Sequence, residues 1–497
     1  MSEILIFTIL ATIAAVYSIL PKHRQLRLGY SIGAKRRTAV AGLSIGILLL
    51  YVISLYFDYV VEQATVPGIG ALEASTLMFS VEVVQLVFAI LIVSLFLAVF
   101  FRDSPTIRNS GFLREQMQQL MNGTQYNTLT SIIEDNYDTL IKKPTTAEEQ
   151  VAQYTETVLL DTGFSEHYAL NNPQLGVQLI TDVNLDEFAR IDAVDLFLRA
   201  VIKHKSSILY REIRNNKHRI DTDRYEIPEE NQLLYALLNE CDVAHQLRAY
   251  QAIGDTTLHI LEEQGRKDRD EYNHRRKSFS VGHDSDEGFR DPVFVAIRFF
   301  DIMVSESIYQ GMQTHMWLYY YTHFTNQICS NFEITDHSNP NEEFANDYSY
   351  LLYEMFSTLE NWMRLSNRNS DSITMNIQNP DAAVENGDIL KSSTRCFIQC
   401  HREILTTDEI PSRFKRERTE SLFKTFFKLA ASQNSEAQKY GEALLAYMEQ
   451  ELRAHGNPPS PYRSELQTMF YSIEHELRIK EPMDLTLVDD IKSRLKL

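Results

Sequence analysis

Three uncharged apolar runs crowd the first hundred residues: Ile4–Leu20, Thr38–Phe57 and Val83–Phe101. At 1.5 Å rise per residue such runs cover roughly 26–30 Å as helices, close to the thickness of a hydrocarbon core. A core helix of a globular protein is seldom apolar on every face, so the runs predict three transmembrane helices within residues 1–101. A cleaved signal peptide is the competing reading of the first run. Met1-Ser2-Glu3 lacks the basic start that a signal peptide carries, and no small-residue cleavage site precedes Pro21.

Loop charge predicts the orientation. Lys22, Arg24, Arg27, Lys35, Arg36 and Arg37 lie between the first two runs, while the second loop has Glu62 and Glu73 and no basic residue. The Lys/Arg bias places the N-terminus outside and the bulk of the chain in the cytoplasm of a multi-pass cell-membrane protein. Within the runs, Gly42 and Gly46 form a GxxxG for close helix packing, either between copies or inside one bundle. Glu82 and Gln85 are the polar residues that a pore could use, or that could snorkel to an interface.

The remaining stretch is different in kind. Residues 102–497 hold 42 Lys/Arg against 62 Asp/Glu, a net of −20 in a chain whose total is −19. That balance argues against general nucleic-acid binding. Four cysteines in 497 residues exclude a disulfide framework. Apolar residues recur at three- and four-residue steps through most of this region, and alternating strands are scarce, SITMNIQ at 372–378 being the best of them. The fold class expected is all-α: three transmembrane helices followed by a large multi-helix cytoplasmic domain. The charged stretch 265–291 suggests subdomains of 102–280 and 281–497. Thr146 and Glu149 predict a capping box, Asp291-Pro292 predicts a helix start running on to 330, and Gly254 marks a break within 232–263.

Several clusters invite chemistry. Cys241/His245 and Cys396/Cys400 are spaced i, i+4 and could together ligate zinc; buried structural cysteine is the competing reading, and no metal or other cofactor is expected. Arg269 and His274 resemble the Arg-x(4–6)-His pattern of HEPN-type ribonucleases, which implies His as acid/base and Arg as phosphate stabiliser. The run from His315 to Phe324 is dense in Trp, Tyr and His, as a core helix or a ligand pocket would be. Arg413, Lys415, Arg416, Arg418, Lys424 and Lys428 make a basic amphipathic helix, suited to a membrane surface or to a solvated rim around a Phe core.

Phosphate-loop, dinucleotide and α/β-hydrolase motifs are missing from the sequence. The expectation is therefore a non-enzymatic membrane effector or channel-like signalling component, of the kind used in stress or antiviral defence. Its partners would be the lipid bilayer, further copies of itself, and a protein or small-ligand trigger. A membrane-tethered helical nuclease and a passive scaffold are the alternatives.

Overall fold

The computed structural model describes residues 11, 14–31, 34–62, 71–100, 107–142, 144–146, 148–182, 188–218, 225–271, 288–312, 317–332, 347–368, 389–454, 461–480 and 485–497. These are helical throughout, apart from short turns and a two-residue antiparallel pair, β1 (Lys217–His218) and β2 (Tyr225–Glu226). The all-α expectation holds. The chain divides into two compact units, Met1–Leu175 and Gly176–Leu497.

The first unit begins with α1 (Lys22–Ser31), α2 (Ala34–Glu62) and α3 (Ala71–Phe100). Helices α2 and α3 pair, enclosing Ile47 and Ile92 with Leu43 and Phe88 against them. Leu48, Val52, Tyr56, Phe79 and Ile90 stay exposed. Among the described residues, however, no helix is long and apolar enough to cross a membrane. The first apolar run lies largely outside the described residues. Helices α2 and α3 run 29 and 30 residues, and neither meets that requirement over its described residues. The three-span expectation is corrected on this ground. The multi-pass topology, the cell-membrane localisation and the functions built on them (membrane effector, channel, tethered nuclease, membrane scaffold) go with it.

The rest of this unit is built on α1. Helices α4 (Ser110–Asn122), α5 (Tyr126–Asp135), α6 (Glu149–Leu159) and α7 (Thr162–Asn171) follow, with a single π turn at Asp138–Lys142. Tyr30 is fully buried; its carbonyl accepts from the Arg108 and Asn109 amides, and its hydroxyl accepts from Asn136 Nδ2 at 3.1 Å. Arg27 pairs with Asp135 at 3.0 Å. Asn109 and Asp161 cap α4 and α7 through their side chains, as short polar residues with extended neighbours do. The expected capping box is displaced by one residue: Glu148, not Glu149, accepts from the Thr145 amide and hydroxyl at 3.0 and 2.7 Å.

The second unit is organised around one buried helix. Helices α8 (Pro173–Thr181, its first three residues in the first unit), α9 (Phe188–Lys203), α10 (Ile208–Asn215), α11 (Gln232–Leu238), α12 (Cys241–Gln246) and α13 (Ala249–Glu271) precede it. Asp291 caps α14 (Pro292–Tyr309), accepting from the Val293 and Phe294 amides with Pro292 in the first turn, as the sequence predicts. All of α14 except Arg298 and Tyr309 is buried. It stops well short of 330 because Gly311 takes a φ of +70° and the amides of Gly311 and Met312 turn back to Ile308 and Ser307, a Schellman ending. Chain resumes as α15 (Leu318–Phe332), followed by α16 (Asp347–Arg368), α17 (Ile389–Thr406), α18 (Ser412–Ala430), α19 (Ser435–Ala454), α20 (Pro461–Lys480) and α21 (Leu485–Leu495).

Gly254 does not break α13. It lets the ring of Tyr320 lie against the helix backbone, since a Cβ there would stand 2.3 Å from that ring. The aromatic run at 317–324 proves to be core: Trp317, Tyr321 and Phe324 are fully buried, while Tyr319 and His323 stack on the outer side.

A polar knot sits inside this core. Asp301 on α14 accepts from the Tyr225 hydroxyl on β2 and from Trp362 Nε1 on α16 at 3.0 Å. Arg298, one turn earlier, reaches Asp301 at 3.6 Å and Glu354 at 2.8 Å. Every charge taken from water here has a charged or hydrogen-bonded partner, the condition under which a buried ion is tolerated.

Candidate functional site

Helices α16 and α18 pack side by side and leave a groove of about 560 Å³ between them. Each helix contributes one face. From α16 come Glu360, Met363 and Arg364; from α18 come Ser421, Lys424, Thr425, Lys428 and Leu429. Spacings of i, i+3, i+4 and i+7 along α18 bring Ser421, Lys424, Thr425 and Lys428 to the same side. The opposite side of α18 is what fixes it in place, with Leu422, Phe423, Phe426 and Phe427 buried. Leu429 is also buried and, with Met363, supplies the apolar part of the groove wall.

Three cations and one carboxylate set the electrostatics. Lys428 and Arg364 are exposed at the rim. Arg364 donates to Asn361 Oδ1 at 3.1 Å and lies near enough to Glu360 to act on its carboxyl. Lys424 pairs with Glu420 at 2.7 Å on its own helix. Glu360 is half-buried and accepts a hydrogen bond from the Ser421 hydroxyl. Burial pushes the Glu360 carboxyl above its ordinary range, while the Ser421 bond and the charges of Arg418, Arg364 and Lys428 hold it down. The lining carries three cations and one carboxylate, with Glu420 paired to Lys424 beside it, so a net positive charge remains on a strongly acidic chain.

The six basic residues expected on this helix separate into two groups. Four are engaged elsewhere: Arg413 with Glu417 at 2.9 Å, Lys415 buried with Glu465 at 3.9 Å, Arg416 with Glu476, and Arg418 over the rings of Tyr353, Phe414 and Phe356 at 5.0–5.7 Å. Only Lys424 and Lys428 line the groove.

The remaining candidates are scattered. A Cβ added at Gly46 would stand 3.0 Å from the Phe88 ring within the α2–α3 pair, whereas one at Gly42 would have nothing within 4 Å. Gln85 is buried and Glu82 half-buried on α3. Cys241 Sγ lies 3.6 Å from the Leu238 carbonyl, and His245 Nδ1 accepts from Trp317 Nε1 at 3.2 Å. Cys396 and Cys400 are buried with their sulfurs 3.9 Å apart; Cys400 also contacts the Thr325 hydroxyl at 3.2 Å, and burial raises its thiol well above the ordinary range. Among the described residues no three His, Cys, Asp or Glu side chains gather so as to hold a metal. Arg269 lies near the end of α13, and His274 falls outside the described residues.

Two charged groove residues escaped the sequence reading, Glu360 and Arg364. Their signal was present as an opposite-charge pair at i, i+4 on a predicted amphipathic helix. Comparisons with protein-family models, with curated proteins and with solved structures give no match to this chain.

Proposed function

We propose that the chain is a helical binding protein for an anionic small ligand, taken up in the groove between α16 and α18. The observation that carries this reading is the convergence of Arg364, Lys424 and Lys428 on one concavity. Cations from separate helices repel one another, and an anion placed among them in the groove offsets that repulsion. The volume lies within the range of small-molecule sites, and the lining combines a few fixed polar groups with an apolar wall. The neutral hydroxyls of Ser421 and Thr425 can donate to the same ligand.

Thermal unfolding of the full chain tests the proposal. Phosphate at 10 mM should raise the melting temperature relative to chloride at equal ionic strength, because a ligand bound only by the folded state stabilises it by mass action. Lys428→Glu should abolish the rise. An unchanged melting temperature at every phosphate concentration would refute the binding role.

A further inference from the structure

The groove is too roomy for a bare inorganic anion and has an acceptor where such an anion would least want one. Building on the anion-binding reading, we infer that its ligand is a phosphate monoester carrying its own hydrogen-bond donor, such as a nucleoside or sugar phosphate. The phosphate sits among Arg364, Lys424 and Lys428, and the ligand's hydroxyl or amine donates to Glu360.

Charge selects the phosphate. A monoester is largely dianionic at neutral pH and offers three acceptor oxygens. Arg364 can meet two of them with its planar fork, and the two lysines act as point charges. A monocarboxylate has one charge and two oxygens, so it offers Arg364 and Lys428 less charge and fewer acceptors than a monoester does.

Glu360 selects the rest of the ligand. Ser421 already occupies its Oε1. A carboxylate has about four acceptor positions, so Glu360 keeps capacity facing the lining. Towards a second anion that capacity is repulsive; towards a hydroxyl or amine it is attractive. Met363 and Leu429 provide the apolar surface against which the carbon skeleton between phosphate and donor can lie. Only a ligand with both an anionic end and a donor end satisfies the two helices together.

Calorimetry on the full chain tests this with four probes: inorganic phosphate, phenyl phosphate, adenosine 5′-monophosphate and glucose 6-phosphate. Phenyl phosphate has the charge of the others and no donor on its organic part. The wild-type chain should bind at least one of the donor-bearing esters about tenfold more tightly than phenyl phosphate, since a site built to accept a hydrogen bond discriminates against a ligand that lacks the donor. Which ester wins distinguishes a nucleoside from a sugar. Glu360→Gln, nearly isosteric and still able to accept from Ser421, should shrink that preference to within about threefold while phosphate binding persists. Equal affinity for all four probes would overturn the ligand class and leave anion binding standing. An undiminished preference in Glu360→Gln would overturn the role of Glu360. Failure of every probe, phosphate included, would overturn both readings.

Discussion

Ser421 donates its hydroxyl hydrogen bond to Glu360, joining α18 to α16 inside the cationic groove. The bond crosses 61 positions of sequence and orients the one carboxylate of the lining. Replacing Ser421 with Ala removes the donor without adding bulk. The expected result is a further rise in the Glu360 pKa, read by carboxyl-resolved titration, and a stability loss of about 1.5–3 kcal/mol if the carboxylate stays ionised. An unaltered titration would show that the two side chains do not meet.

His401 gives a pH dependence of definite sign. It is fully buried between Tyr462 and Thr419, at 3.2 and 3.1 Å, and burial lowers its pKa to about 3. Unfolded, the same imidazole titrates near 6.5. The folded state therefore takes up the proton less readily, and stability is complete above about pH 6.5 and declines as pH falls towards 3. Between pH 7.5 and 5.5 the His401 contribution should cost about 1.4 kcal/mol. In urea denaturation at these two pH values, His401→Gln should narrow the difference by that amount. An identical difference in both proteins would mean that His401 is accessible to protons in the folded state.

Asp301 carries the polar knot of the second unit. Asp301→Leu would strip the acceptor from the Tyr225 hydroxyl and Trp362 Nε1 and leave Arg298 with Glu354 as its one carboxylate in the knot. A loss of about 3–5 kcal/mol is expected, because the surviving polar groups stay buried without their partner. Tyr225→Phe removes only one donor and should cost less, about 2 kcal/mol. If Asp301→Leu is tolerated within 1 kcal/mol, water reaches this part of the core.

At Gly254, ordinary helix propensity and packing point in opposite directions. Alanine is the better helix former by about 1 kcal/mol. Its Cβ would nevertheless stand 2.3 Å from the Tyr320 ring, whose hydroxyl is anchored to Asp255 at 2.6 Å. Overpacking of this kind costs about 1–3 kcal/mol, so Gly254→Ala should destabilise. In a Tyr320→Leu background the same substitution should become neutral or favourable, which a double-mutant cycle reads as coupling.

These cases also show what could be read from the sequence. Helical periodicity located most of the second unit, and Asp291-Pro292 marked the start of α14, because both signals are local. Where α14 ends depended on the handedness of Gly311, and a lone glycine in the sequence does not reveal its φ. Gly254 read as a break for the same reason: the ring that needs its missing side chain comes from residue 320. The apolar N-terminal runs suggested membrane spans, but among the described residues no helix is long and apolar enough to make one. In the groove, Lys424 and Lys428 were visible as part of a basic helix. Arg413, Lys415, Arg416 and Arg418 looked equivalent to them until their acidic and aromatic partners, many of them distant in sequence, came into place. Glu360 and Arg364 became part of the site only through the packing of α16 on α18.

The central claim is that Arg364, Lys424 and Lys428 form an anion site, and calorimetric titration of the full chain with phosphate tests it most directly. The wild-type protein should bind with one site per chain and lose affinity as salt is raised, as charge-dominated binding does. The double charge reversal Arg364→Glu, Lys428→Glu should weaken binding at least tenfold with the melting temperature of the unliganded protein within a few degrees of wild type. Equal binding by the wild type and this variant would contradict the account.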